Sequence, residues 1–184
     1  MNSLKNHLLI SVPHMNDDIF GHSVIYICEH NLEGAMGLII NKPMDGISFK
    51  NLKNQNHINS DHFENIKMKL FFGGPILVEK IIALHTNELK IETAIPLNNK
   101  ISISSGKEII RDIENDINLN HKLFCGHSGW SPGQLEREIE NGDWLLQSSK
   151  TDLLFNLTAE KIWGNATESL GINIIDISNM SGSA

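Results

Sequence analysis

Leu123-Phe124-Cys125-Gly126-His127-Ser128-Gly129-Trp130-Ser131-Pro132-Gly133-Gln134-Leu135-Glu136-Arg137-Glu138-Ile139-Glu140-Asn141-Gly142-Asp143-Trp144-Leu145-Leu146 decides how the rest of the chain is read. Its first residues are apolar and suit a strand, and the glycines at 126 and 129 suit a tight turn. Ser131 is then a good N-cap, and Pro132 falls at the first helical position, where a missing N–H costs nothing. Gln134 stands three residues after the cap, the spacing of a capping box. Proline also biases Ser131 toward the extended conformation an N-cap needs. Trp130, just before the cap, and Leu135, at the fourth helical position, are placed to meet as a hydrophobic staple. Asn141-Gly142 supplies the stop. The segment predicts strand, turn, capped helix and strand; it specifies a geometry and no reaction.

Outward from this segment, the 184 residues, 40% of them hydrophobic, suffice for one substantial core, so one domain over 1–184 is expected. A net charge of −7 and only two arginines, Arg111 and Arg137, leave no basic stripe for a phosphate backbone, which argues against direct nucleic-acid binding. Cys28 and Cys125 each lie in an apolar run and read as buried thiols, with no disulfide framework. No apolar run is long enough for a signal peptide or a membrane span, so a cytoplasmic protein without membrane association is expected.

In chain order, Leu8 to Val12 reads as a buried strand stopped by Pro13. Ser23 to Cys28 is β-branched and aromatic, the pattern of a central strand buried on both faces. Glu29 to Gly34 turns the chain, and Met36 to Asn41 forms the next strand. Three strands with no helix between them predict antiparallel neighbours. Ile47 to Ile66, with His57 and His62, is polar and asparagine-rich and reads as a surface excursion. Strands are expected at Met68 to Phe72, Val78 to His85, Leu89 to Leu97 and Ile101 to Ser104. Ser105 and Glu108 have capping-box spacing ahead of Ile109, Ile110, Ile113 and Ile117, which predicts a one-sided packing helix. Asp152 to Phe155 reads as a helical turn. Thr158 caps a last helix whose Ile162, Trp163, Ala166 and Leu170 share a face, with Gly171 as its stop. Ile172 to Ile177 is a candidate edge strand or arm.

Each chemical motif competes with a plainer reading. Gly126-His127-Ser128-Gly129-Trp130, between strand and helix, has the context of a nucleophile elbow, but Trp130 replaces the final glycine and the alternating strand-helix order is missing. Turn hydrogen bonding is the better role for Ser128. His121, Cys125 and His127 share parity along the presumed strand, yet no paired ligand spacing completes a zinc site, so no metal is assigned. His30 and His85 follow apolar strands and read as strand-end histidines bonded to loop backbone. Gly73-Gly74-Pro75 and Glu33-Gly34-Ala35-Met36-Gly37 lack the lysine-bearing helix of a phosphate loop, and no dinucleotide fingerprint occurs, so no cofactor is assigned. Trp130, Trp144 and Trp163 read as core anchors.

Taken together, Pro13, Asp17, Phe20, Ser23-Val24, Cys28-Glu29-His30, Gly34-Ala35-Met36-Gly37, Asn41-Lys42-Pro43, Gly73-Gly74-Pro75, Leu84-His85, Gly129 to Glu136, Trp144, Phe155, Trp163 and Leu170-Gly171-Ile172 form an ordered set that resembles the AlgH/YqgE family nearly end to end. The resemblance implies an α+β fold, a largely antiparallel bifurcated sheet with a small closed barrel, flanked by helices. It implies no assigned activity; some members are called transcriptional regulators on indirect grounds. This chain departs from the family's pattern at His127-Ser128, where the turn commonly has tyrosine and alanine. It departs again at Asp18 and His22, where Asp-Pro and then arginine are common.

The reading that results is a non-enzymatic regulatory or interaction protein, monomer or weak dimer. Its unknown protein or small-ligand partner would meet a surface drawn from His30, Gly34, Asn41, Gly73, Gly74, His85, His127, Gly129 and Trp130. The alternative is an unrecognised hydrolase-like or metal-dependent enzyme, which requires at least two of His30, His85, Cys125 and His127 to converge in one cleft.

Overall fold

The computed structural model describes residues 2–44, 68–88, 91–106, 109, 110, 113, 120–149 and 151–172. Nine strands are present among them: β1 (His7–Ser11), β2 (Val24–Asn31), β3 (Gly34–Ile39), β4 (Leu70–Phe72), β5 (Ile76–Thr86), β6 (Ile95–Pro96), β7 (Ile101–Ser105), β8 (His121–Trp130) and β9 (Trp144–Ser148). Three helices with described bounds follow β8, α1 (Gln134–Glu140), α2 (Thr151–Phe155) and α3 (Ala159–Ser169). The strands make one sheet in the order β6-β7-β5-β8-β3-β2-β1-β9, with β4 on β8 as a branch. Every pairing is antiparallel except β4 with β8.

β1, β2 and β3 form the expected antiparallel meander, and Val24 to Cys28 is buried throughout. The turn expected over Glu29 to Gly34 is shorter: Asn31 pairs with Gly34, leaving only Leu32 and Glu33 in the loop. A bulge at Cys28 shifts the register, so Glu29 and His30 keep pairing with Met36 and Ala35.

β8 is the strand on which the sheet divides. One edge pairs with β5 from His85 opposite His121 to Ile76 opposite His127. The other pairs first with β4, at Leu123 to Cys125, and then with β3, at Ser128 to Trp130. Gly126 stands between the two partners with φ of 70°, and a Cβ there would lie 2.4 Å from the Gly74 carbonyl oxygen. The turn expected at Gly126 to Gly129 is therefore strand: the glycine lets the backbone bend at the branch without leaving the ladder.

The sheet is curled. Leu8 of β1 and Ile101 of β7 lie near opposite ends of the strand order yet share one buried cluster with α3 residues Ile162 and Ala166. Asn6 also donates its amide to the Leu97 carbonyl and accepts the Tyr26 hydroxyl, tying the two ends together. The curl stays open, because β6 and β9 end the strand order and no ladder joins them among the described residues. A closed barrel is thus not shown, whereas the sheet-dominated α+β class is. The outer face carries a second cluster, Leu9, Ile25, Ile27, Ile39, Trp130, Leu135 and Trp144, covered by α1 and the 13–22 loop.

Several local expectations change. β6 is only Ile95–Pro96, much shorter than Leu89 to Leu97. Ile109, Ile110 and Ile113 are helical, with Ile109 and Ile113 buried against Ala83 and Leu123; the proposed Glu108 cap partner and Ile117 lie outside the described residues. So do Ile47 to Ile66 and most of Ile172 to Ile177. In α3, Ile162, Trp163 and Ala166 are buried, but Leu170 has left the shared face at the helix end.

Candidate functional site

The quoted stretch builds its turn by a different device from the one its spacing suggests. α1 starts at Gln134, with Gly133 before it at φ 71° and ψ 0°. The Gln134 N–H donates to the Ser131 carbonyl at 2.9 Å, so Pro132-Gly133 occupies the centre of a type II turn, where proline at the first central position and a left-handed glycine at the second are the favoured pair. Half of the capping box survives: the Gln134 side-chain oxygen accepts the Ser131 N–H at 3.0 Å. Ser131 makes no side-chain cap, because the left-handed glycine delays the helix. Trp130 and Leu135 do share one cluster. The stop falls where expected, with Gly142 at φ 82° and its N–H on the Ile139 carbonyl at 3.0 Å.

Seven residues of helix place Gln134 and Glu138 one turn apart on one face. The Gln134 amide donates to Glu138 Oε1 at 2.9 Å, while Glu138 Oε2 accepts both the Trp130 indole N–H at 2.8 Å and the Trp144 indole N–H at 2.9 Å. The two indoles stand edge to face at 6.5 Å, and Phe20 meets Trp144 the same way at 5.9 Å. Phe20 is placed by Asp17, whose Oδ1 accepts the N–H groups of Ile19 and Phe20 at 2.8 and 2.7 Å. These pieces enclose a cavity of about 270 Å³ walled by Met15, Phe20, Trp130 and Trp144, with Asp17, Glu138 and Asp143 on its lining and Gly129 at its side.

On another side of α1, Glu136 Oε1 lies 2.9 Å from His30 Nε2, and the Leu4 N–H donates to His30 Nδ1 at 2.9 Å. Since Nδ1 accepts, the ring proton sits on Nε2 and is donated to Glu136. The Glu136 backbone N–H, and then the His30 ring, hold this carboxyl below the ordinary range.

The remaining candidates are scattered. His85 is fully buried, giving its Nδ1 proton to the Thr86 carbonyl and accepting the Ser104 hydroxyl, each at 2.9 Å; burial pushes its pKa down. Along the β5–β8 ladder His85 faces His121, Cys125 faces Ile81 and His127 faces Ile76, whereas His30 faces Ala35 on the other branch. The four side chains of the enzyme alternative are thus not gathered in one cleft. Burial pushes the Cys125 thiol up to about 12 and Cys28 higher still. Burial, then the Lys80 charge, push the His127 ring down. The Ser128 hydroxyl is buried and donates to the Gly73 carbonyl at 3.3 Å. Among the described residues no group of three metal-ligating side chains occurs.

The glycines answer to backbone packing. A Cβ at Gly34 would lie 2.2 Å from the Trp130 carbonyl oxygen, at Gly73 2.3 Å from that of Gly126, and at Gly74 2.3 Å from the His127 carbonyl carbon. Asn41 spans two elements, accepting the Val24 N–H and donating to the His22 carbonyl. At the positions departing from the family pattern, His22 stands edge-on to Trp163 at 4.4 Å, and the Asp18 carbonyl accepts the Lys42 ammonium. Of the nine candidate surface residues, Gly129 and Trp130 line the aromatic cavity. Phe20, Glu138 and Trp144 were missed; the signal available was a tryptophan on each side of a short helix carrying Gln134 and Glu138 at helical spacing.

A curled, largely antiparallel sheet divided at one glycine, with three helices after the dividing strand, defines the class, and the chain belongs to the AlgH-like family, whose model matches residues 8–175. It is 36% identical to a UPF0301 protein of Shewanella loihica over the whole of both chains. A UPF0301 protein of Vibrio cholerae is 35% identical, covering 99% of this chain and all of that one. The solution structure of the AlgH protein from Pseudomonas aeruginosa superimposes with a TM-score of 0.71 at 28% identity, covering all of this chain and 95% of that one. A crystal structure of a Corynebacterium diphtheriae protein shares the fold at a TM-score of 0.68 and 20% identity, covering 92% of this chain and 87% of that one. No helix among the described residues is long and apolar enough to cross a membrane.

Proposed function

We propose that the protein is a cytoplasmic, single-domain interaction protein, monomer or weak dimer, that works by binding at the aromatic cavity beside Gly129 and Trp130. One observation carries this reading: two carboxylates of the site, Glu138 and Asp17, hold its walls in place. Glu138 fixes both indoles and Asp17 fixes the loop that brings Phe20. A site whose polar groups orient apolar walls suits recognition. Any part in transcription runs through a partner, since the acidic chain offers no basic stripe to an operator. The test is tryptophan emission of the purified protein titrated with small-molecule pools, beside turnover assays on generic ester and phosphate substrates. A saturable emission change without turnover supports the reading. Turnover abolished by a single substitution overturns it.

A further inference from the structure

We propose that the aromatic cavity takes an alkylammonium group, a deepening that rests on the binding reading above. Three rings, Phe20, Trp130 and Trp144, wall a space of about 270 Å³, and three carboxylates, Asp17, Glu138 and Asp143, share the lining with no lysine, arginine or histidine. Aromatic faces attract a cation through the ring quadrupole, and a desolvated organic ammonium gains most from such a site.

The neighbouring cations are engaged or directed elsewhere. The Lys42 ammonium, whose field reaches Asp17, donates to the Asp18 carbonyl at 3.2 Å. Arg137 lies over Gly133, its guanidinium 3.3 Å from where a Cβ there would stand. A bare metal ion fits poorly, because apolar ring faces supply no oxygen ligands and Glu138 already accepts three hydrogen bonds. A hydrocarbon-clad cation uses both halves of the lining: its methyl or methylene groups meet the rings, and its charge meets the carboxylates. The same group is offered by a free alkylamine or by a lysine side chain of a partner protein.

The test is calorimetric titration of the full chain with choline, with 3,3-dimethyl-1-butanol as the neutral isostere of choline, with n-butylammonium, and with a short Gly-Lys-Gly peptide. The ammonium probes are expected to bind saturably and shift tryptophan emission, with the neutral isostere about tenfold weaker. Asp143→Asn, at a position tied to Val12 and Glu138 through its backbone, is expected to weaken ammonium binding about threefold while leaving the fold intact. Binding of the free amines assigns a small ligand; binding of the peptide alone assigns a lysine of a protein partner. A neutral isostere that binds as tightly as choline overturns the ammonium assignment and leaves the binding reading standing. Failure of every ammonium probe overturns the ammonium assignment alone, and the emission titration with small-molecule pools then decides the binding reading.

Discussion

Trp130 and Trp144, on either side of α1, donate their indole N–H groups to the same oxygen atom, Oε2 of Glu138. One carboxylate therefore fixes the end of β8 to the start of β9. Glu138→Ala leaves both donors without a protein partner and is expected to cost about 2–4 kcal/mol, whereas Glu138→Gln, which keeps an acceptor oxygen, should cost about 1 kcal/mol. Urea unfolding reads the difference, and a red-shifted tryptophan emission in the alanine variant locates it.

His30 joins the amino-terminal segment to α1 in a single tautomer, Nδ1 accepting from Leu4 and Nε2 donating to Glu136. Imidazole nitrogen shifts in an NMR spectrum should show a protonated Nε2 and an unprotonated Nδ1. His30→Phe is expected to speed amide exchange at Leu4 and to cost about 1–2 kcal/mol.

Lys122 is buried, with its ammonium 3.0 Å from the Ile40 carbonyl and 4.8 Å from the centre of the Phe71 ring. Burial, and then the Lys69 charge, lower its pKa to about 8. The unfolded chain keeps this proton to about pH 10.4, so between these values the unfolded state binds more protons and stability from this residue rises with pH. That contribution is lost as pH falls through 8. Against a Lys122→Met variant, the wild type should gain roughly 2 kcal/mol between pH 7 and pH 10. Paired urea titrations at the two pH values check the sign.

Gly126 and Gly142 both have left-handed backbones, but only one is enclosed. Gly142→Ala meets open space and should cost about 1 kcal/mol from its φ of 82° alone. Gly126→Ala would drive a methyl group into the backbone of Gly74 and Ile76, so the branch must open; the expected loss is above about 3 kcal/mol, read as insoluble or unfolded protein.

Much of the sheet was legible, because buried strands such as Leu8 to Ser11 and Val24 to Cys28 are written as uninterrupted apolar or β-branched runs. The stop of α1 was legible for the same local reason, a left-handed glycine. What escaped were features set by tertiary contact. Gly126 to Gly129 reads as a turn in isolation and is strand because β3 and β5 pair with it. Pro132 suits both a helix start and a type II turn, and Gly133 decides between them. The site was half legible: Gly129 and Trp130 stand out as a motif, but Phe20 reaches the cavity from a loop more than a hundred residues earlier, and no local pattern announces that meeting.

β8 reaches both halves of the sheet but is encoded at residues 121–130, after seven of the nine described strands. During synthesis, the meander of β1 to β3 and the ladder of β5 to β7 therefore leave the ribosome before the strand that joins them. Until then β3 and β5 each present an unpaired edge, the form of exposure that invites pairing with other chains. The order of translation thus sets a defined interval of edge exposure, which closes when Trp130 clears the exit tunnel.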